Sequence, residues 1–382
     1  MKLTQEPKPK LPQPLVANHI PSITPLKGIA ALCIVACHYL GLIKLAQPKY
    51  DLQPKFLELL MDKGYLWVDL FFIVSGLVIF HVYHIRFSQG VNKDNYRQFL
   101  IARFARVYPL HLFTLLFLLA LQLPIYLVEP QYAFSERYFP LIGIITNITL
   151  MGSFGNLPYG WNDISWAVGA EWYTYMIFPF LLPLFLRNSS LRILLNCLMP
   201  IFLLFGLSKL SVASPNTLRL FKDYGFVRCL LDFILGIGIY QAYQKSWLRR
   251  ILSRNYVFLL AWVWIITVIL TGGHDAWTIP GFALLVISGV LNRGKVSRIL
   301  NMKELIFLGK ISYSIYLIHG VFMILTPFAG YIFCGELFCS GWTQLELYLG
   351  FLGFTAITII FSILAYYGIE VRARKFLLKK LL

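Results

Sequence analysis

Long apolar runs alternate with short polar stretches along almost the whole chain. Ten of them, near residues 26–43, 65–85, 107–127, 166–186, 191–208, 226–244, 255–271, 277–292, 305–326 and 345–368, approach membrane-crossing length. About 20 apolar residues, rising about 1.5 Å each, cross a hydrocarbon core roughly 30 Å thick. An eleventh run, Pro140 to Gly152, is shorter and suits a re-entrant or interfacial segment. The pattern predicts an all-α fold: a polytopic membrane helical bundle of about ten transmembrane spans plus one short re-entrant segment. Residues 1–25 read as a polar, proline-rich tail, which leaves 26–382 as one transmembrane domain. No apolar signal-peptide core precedes the first span, so insertion is expected to rely on the spans themselves.

Composition agrees with that picture: 58% of residues are hydrophobic and 13% charged, with a mean hydropathy of +0.68. Soluble domains carry about 25% charged residues. The net charge of +17 raises the question of nucleic acid, but no zinc-ligand spacing or nucleic-acid motif accompanies it. Topology explains the charge instead. With a cytoplasmic N-terminus and a non-crossing Pro140–Gly152, 25 Lys and Arg fall on the cytoplasmic side and 9 outside. If that run crossed, the split would be 13 and 21. The positive-inside rule selects the first arrangement, with both termini cytoplasmic and the basic residues meeting lipid headgroups. Cys33, Cys37, Cys197 and Cys229 lie in apolar runs, where thiols act as small apolar groups. Cys334 and Cys339 share an outer loop, and whether they pair is left open.

A few polar residues sit where an apolar helix does not need them. His38 follows Lys27 by eleven residues in an otherwise apolar run. That spacing places the imidazole roughly 16 Å along the axis and at nearly the same azimuth, near the membrane midplane. An ionisable group at that depth marks a functional site. Arg103 and Arg106 stand at i and i+3 on one helix face, a fork suited to phosphate, with a lipid-headgroup anchor as the plainer alternative. Ser312, Tyr316 and His319 form one polar stripe, which is either an interhelical hydrogen-bond network or a cavity wall. Glu171 is the deepest acidic residue toward the outer side and must be paired or line a wet cavity. Asp69 lies near the outer boundary of the second span, and Ser75-Gly76 offers a small surface for close helix contact. Arg228 and Asp232, at i and i+4, are expected to pair, and Glu370 to form a surface salt bridge among Arg372, Arg374 and Lys375. His81 and His84 lack a third ligand in view, so no metal site is expected.

These pieces, in this order, resemble the acyltransferase-3 family of membrane O-acyltransferases. Leu26-Lys27-Gly28…His38 resembles its first-span motif, and Phe71-Phe72-Ile-Val-Ser75-Gly76 its Phe-Phe-x-x-Ser-Gly signature. Arg103-Phe-Ala-Arg106 with Pro109 is similar to its Arg-x-x-Arg motif. Ser165-Trp166…Glu171…Tyr175…Pro179, then Arg228…Phe233…Gly236, Leu308…Ser312-Tyr313…Tyr316…His319 and Glu370 follow the later landmarks. Two positions depart from the family pattern: Lys27 stands where arginine is usual, and Trp166 where leucine is usual. A fused SGNH esterase-like domain, which some members of that family carry, is not expected here.

The resemblance implies transfer of an acyl group, usually acetyl from acetyl-CoA, to a hydroxyl of an extracytoplasmic or membrane-linked acceptor such as a surface polysaccharide. It implies a bacterial inner membrane location. It assigns His38 and Glu171 to catalysis, Lys27, Arg103 and Arg106 to the acyl-CoA donor, and Asp69, Ser75, Ser312, Tyr316 and His319 to the substrate cavity. His38 would act as general base, or alternatively carry the acyl group as an acyl-histidine. A proton-coupled transporter is the rival class, because ten spans and a midplane histidine suit it too. The acceptor, the acyl length and the oligomeric state are not set by the sequence.

Overall fold

The computed structural model describes residues 23–47, 52–128, 142–155, 157, 160–187, 189–211, 215–221, 223–334 and 341–382. Among them the chain is helical throughout, with no strand. Helices α1 (Ile23–Ala46), α2 (Lys55–Asp62), α3 (Trp67–Phe87) and α4 (Lys93–Val128) come first, followed by the short α5 (Ile142–Ile148). Then come α6 (Trp166–Leu181), α7 (Ser190–Ser208), α8 (Gly225–Tyr243), α9 (Ser246–Leu252), α10 (Asn255–Leu270) and α11 (Thr278–Leu291). The chain closes with α12 (Lys295–Leu300), α13 (Lys303–Lys310), α14 (Ser312–Cys334), α15 (Gln344–Ala365) and α16 (Val371–Leu381).

Among the described residues each of the ten long apolar runs is therefore largely helical. Six helices among the described residues are long and apolar enough to cross a membrane, and the bent pair α13–α14 makes a seventh; α10 and the stretch Asp275–Leu291 are shorter. This is an integral membrane protein. The Pro140–Gly152 run yields only the seven residues of α5, about 10 Å of helix, too short to cross. Cys339 and the tail before Ile23 lie outside the described residues.

Helices α3 and α8 form the centre. Burial of their apolar windows reaches 72% and 78%, against 22% for α7 and 17% for α15 on the rim. On α15, Leu349, Leu352, Ile360, Phe361 and Leu364 are exposed, as a lipid-facing helix requires. Lipid tails are as apolar as these side chains, so helix association inside the bilayer depends on close packing. The glycines supply it. A Cβ on Gly76 would run into the Phe233 backbone, and one on Gly236 into the Ile73 carbonyl, so α3 and α8 touch backbone to backbone. The small pair Ser75-Gly76 does what its sequence suggested. Gly28 and Gly309 make a second such contact, setting α13 against the start of α1 beside Lys27.

Two irregularities shape the region that follows. The axis bends by 60° between α13 and α14, so Ser312 opens a new helix in the interior. One π-helical turn, Tyr366–Glu370, joins α15 to α16 and delivers Glu370 inward. Such turns concentrate at functional sites.

Candidate active site

A void of about 890 Å³, counted up to its open mouth, lies among α1, α3, α4, α6 and α14. Its wall carries Lys27, Ser75, Arg103, Arg106, Glu171, Tyr175, Ser312, Tyr313 and Tyr316, with Phe71 and Phe72 supplying apolar surface. Helical periodicity explains each group locally. Arg103 and Arg106 share a face of α4, Glu171 and Tyr175 are four apart on α6, and Tyr316 follows Ser312 by four on α14.

The electrostatics are asymmetric. Arg106 forms an ion pair with Glu370, whose other oxygen accepts from Ser314 Oγ at 2.9 Å. The Arg106 guanidinium also lies over the Tyr313 ring at 5.5 Å. Glu370 is buried, at 2% exposure, so it belongs to the site and not to the surface salt bridge its neighbours suggested. Arg103 has no carboxylate partner among the described residues. It donates to the Tyr83 hydroxyl at 3.3 Å and lies over the rings of Tyr83 and Tyr175, at 5.5 and 6.0 Å. Its Nε is buried with no hydrogen-bond partner. Lys27 lies within electrostatic reach of Arg106 and Glu171. Three cations therefore face the void, one carboxylate stands in its wall, and a second lies behind Arg106. A half-buried guanidinium without an acid is left with charge that an anion can balance.

His38 lies outside this wall. It is partly accessible, and its Nδ1 meets His319 Nε2 at 2.9 Å, with the ring centroids 5.0 Å apart and the ring planes within 19° of each other. His319 in turn meets the edge of Tyr316 at 5.6 Å between centroids. Tyr316 lines the void and fixes its hydroxyl on the Ile164 carbonyl at 2.8 Å. The phenol ring thus stands between the cationic void and the imidazole pair.

The remaining expectations divide. Ser75 lines the void and shares a hydrogen bond of 2.8 Å with the Tyr175 hydroxyl. Asp69 is not in the wall. Both its oxygens are held by Arg228, at 2.6 and 2.8 Å, in a fully buried fork. Arg228 also donates to the Leu218 carbonyl at 2.6 Å, tying the loop before α8 to α3. The expected Arg228–Asp232 pair is accordingly absent, because the guanidinium fork points across to α3 and leaves both Asp232 oxygens without a hydrogen bond. His319 is also not in the wall; it packs behind Tyr316. His81 and His84 bond Tyr240 OH at 3.1 Å and the Phe80 carbonyl at 2.8 Å. Among the described residues no group of three metal-ligating side chains occurs. The sequence reading gave Tyr313 and Phe71 no site role and did not place Glu370 in the site. Tyr175 could have been found from its i+4 spacing to Glu171. Nothing local links Glu370 to Arg106, and its place among the family landmarks was the one signal for it.

A family model described as an acyltransferase domain matches residues 20–367 of this chain. The chain belongs to the acyltransferase-3 family. Every wall residue and both histidines fall inside the matched range, whereas Glu370 lies just beyond it. The chain is similar to an acyltransferase of Streptomyces mycarofaciens, MdmB, at 31% identity over 166 residues, 42% of this chain and 38% of that protein. It is also similar to protein 2 in the picA locus of Rhizobium radiobacter, at 34% over 103 residues, 27% of this chain and 46% of that one. The chain thus spans less than half the length of either relative in these matches. No solved structure matches it.

Proposed function

We propose that this acyltransferase-3 chain moves an acyl group, acetyl from acetyl-CoA, onto a hydroxyl of an extracytoplasmic or membrane-linked acceptor, a surface polysaccharide sugar. The observation that carries the reading is the half-buried guanidinium of Arg103, without a carboxylate partner among the described residues and with its Nε left unbonded, in a void it shares with Lys27 and Arg106. An anionic donor supplies the missing charge, and the planar fork of arginine matches phosphate oxygens. The basic ends of α4 and α16 lie on the side assigned to the cytoplasm, so the nucleotide end of acyl-CoA enters there. Lys27 keeps charge at its position without the fork and attracts the anion, while Glu171 lies within electrostatic reach of Lys27.

The thioester end travels on past Tyr316 toward His38, roughly 16 Å of α1 beyond Lys27. There His38 takes the proton of the acceptor hydroxyl as its oxygen attacks the thioester carbonyl. General-base help of this kind contributes about 10²–10⁴-fold. Ser312 and Ser75 offer hydroxyls to the polar part of the arm, and Glu171 with Tyr175 closes the far wall. Asp69 serves the fold through Arg228.

The test uses the full chain in lipid nanodiscs with radiolabelled acetyl-CoA and a crude surface-polysaccharide fraction. Alkali-labile label in the polysaccharide supports the reading. Saturable movement of label or of protons across sealed vesicles, without ester, would replace it with the transporter.

A further inference from the structure

Two imidazoles meet between α1 and α14, and the hydrogen bonds around them admit one proton arrangement. His319 Nδ1 lies 3.0 Å from the Ile315 carbonyl oxygen. A carbonyl only accepts, so Nδ1 carries the hydrogen and Nε2 of the neutral ring is a bare lone pair. That lone pair faces His38 Nδ1 at 2.9 Å. His38 Nδ1 must therefore donate, which leaves its own lone pair on Nε2. Among the described residues nothing bonds this nitrogen, and it is not one of the buried polar atoms left without a partner. It opens on accessible space, in keeping with the partial accessibility of His38. His319 itself is fully buried, nearly coplanar with His38 and backed by Tyr316.

We infer that His319 is a positioning residue: it holds His38 in the tautomer whose Nε2 accepts the proton. The inference rests on the acyl-transfer role proposed for His38. In the step, the acceptor O–H proton passes to His38 Nε2 as the new O–C bond forms at the thioester carbonyl. The C–S bond then breaks, and the departing thiolate takes that proton back. Between these events His38 is an imidazolium with both nitrogens protonated. Its Nδ1–H goes on donating to His319 Nε2, which stabilises the cation while His319 stays neutral. The role is the one an acidic side chain fills behind other catalytic histidines, but met here by a neutral group suited to an apolar interior.

Two measurements test it on the full chain in nanodiscs. In ¹⁵N-histidine-labelled protein, the signals lost in His38→Ala should report a protonated Nδ1 and a bare Nε2 in the wild type. The reverse assignment would overturn the inference whatever the enzyme does. In the acetyl-transfer assay, His319→Leu should lower kcat by about 10²-fold or more, within the range of a positioned base, and leave the KM for acetyl-CoA within about twofold. His319→Gln offers a side-chain oxygen to the Nδ1–H and should recover at least about tenfold of that loss. Equal losses in the Gln and Leu variants, or a raised KM with kcat intact, would assign His319 to packing or donor binding. If His38→Ala is inactive while His319→Leu keeps full kcat, the positioning role alone falls. If His38→Ala keeps wild-type turnover, the proposed chemistry of His38 falls with it.

Discussion

Arg103 and Arg106 are one helical turn apart and carry the same charge, yet their removal should have opposite consequences. Arg106→Ala strips the partner from the buried Glu370 carboxylate. Breaking a buried pair from one side costs about 3–5 kcal/mol, because the remaining charge is uncompensated. Arg103→Ala orphans no acid. It gives up a long bond to Tyr83 OH, at 3.3 Å, and ring contacts at 5.5 and 6.0 Å. Those contacts amount to about 1 kcal/mol of fold stability. Its loss should appear in donor binding instead. Hydrogen bonds to a charged group contribute about 1.5–3 kcal/mol, which is roughly a 10- to 150-fold rise in the KM for acetyl-CoA. The assay pairs thermal unfolding in nanodiscs with acetyl-CoA titration of the transfer rate. Arg103→Lys should fall between wild type and Ala, keeping charge and losing the fork. An Arg103→Ala protein with normal stability and an unchanged KM would show that Arg103 does not hold the donor. An Arg106→Ala protein as stable as wild type would show that Glu370 does not depend on Arg106.

Three further outcomes follow from the packing. Pairing Arg106→Leu with Glu370→Leu should recover most of the stability lost by either change alone, because removing both charges removes the uncompensated one; unfolding of the single and double variants checks it. Asp69→Asn should lower thermal stability, by about 3–5 kcal/mol if the Arg228 charge is left unpaired, while the KM for acetyl-CoA stays put; the same two measurements separate these effects. Gly76→Leu places a side chain against the Phe233 backbone and should abolish the monodisperse peak in size-exclusion chromatography, whereas Gly41→Leu, which meets open space, should leave it intact.

Much of the helix content and part of the site could be read along the chain, because both obey local periodicities. Lys27 and His38 share an apolar helix whose length is set by the bilayer, so depth follows from spacing alone. Arg103 and Arg106 share a face for the same reason, and Ser75-Gly76 announced the α3–α8 contact by its size. The failures all involve partners on other helices. Arg228 has a carboxylate four residues away in Asp232, yet its fork turns to Asp69, 159 positions earlier. Glu370 sits among three basic neighbours, yet a π-helical turn carries it inward to Arg106. His319 was placed correctly on a polar stripe with Tyr316, but its partner across the interface, 281 positions away, was not visible. Local spacing identifies which groups share a face. It carries no information on what that face meets.

In the proposed division of labour the cationic void binds the donor, and His38, beyond Tyr316, performs the transfer. That division is tested most directly on one sample of His38→Ala in nanodiscs, measuring equilibrium binding of radiolabelled acetyl-CoA and formation of alkali-labile ester side by side. Wild-type binding with ester formation reduced to background is the expected result. Wild-type ester formation, or loss of donor binding in step with activity, would contradict it.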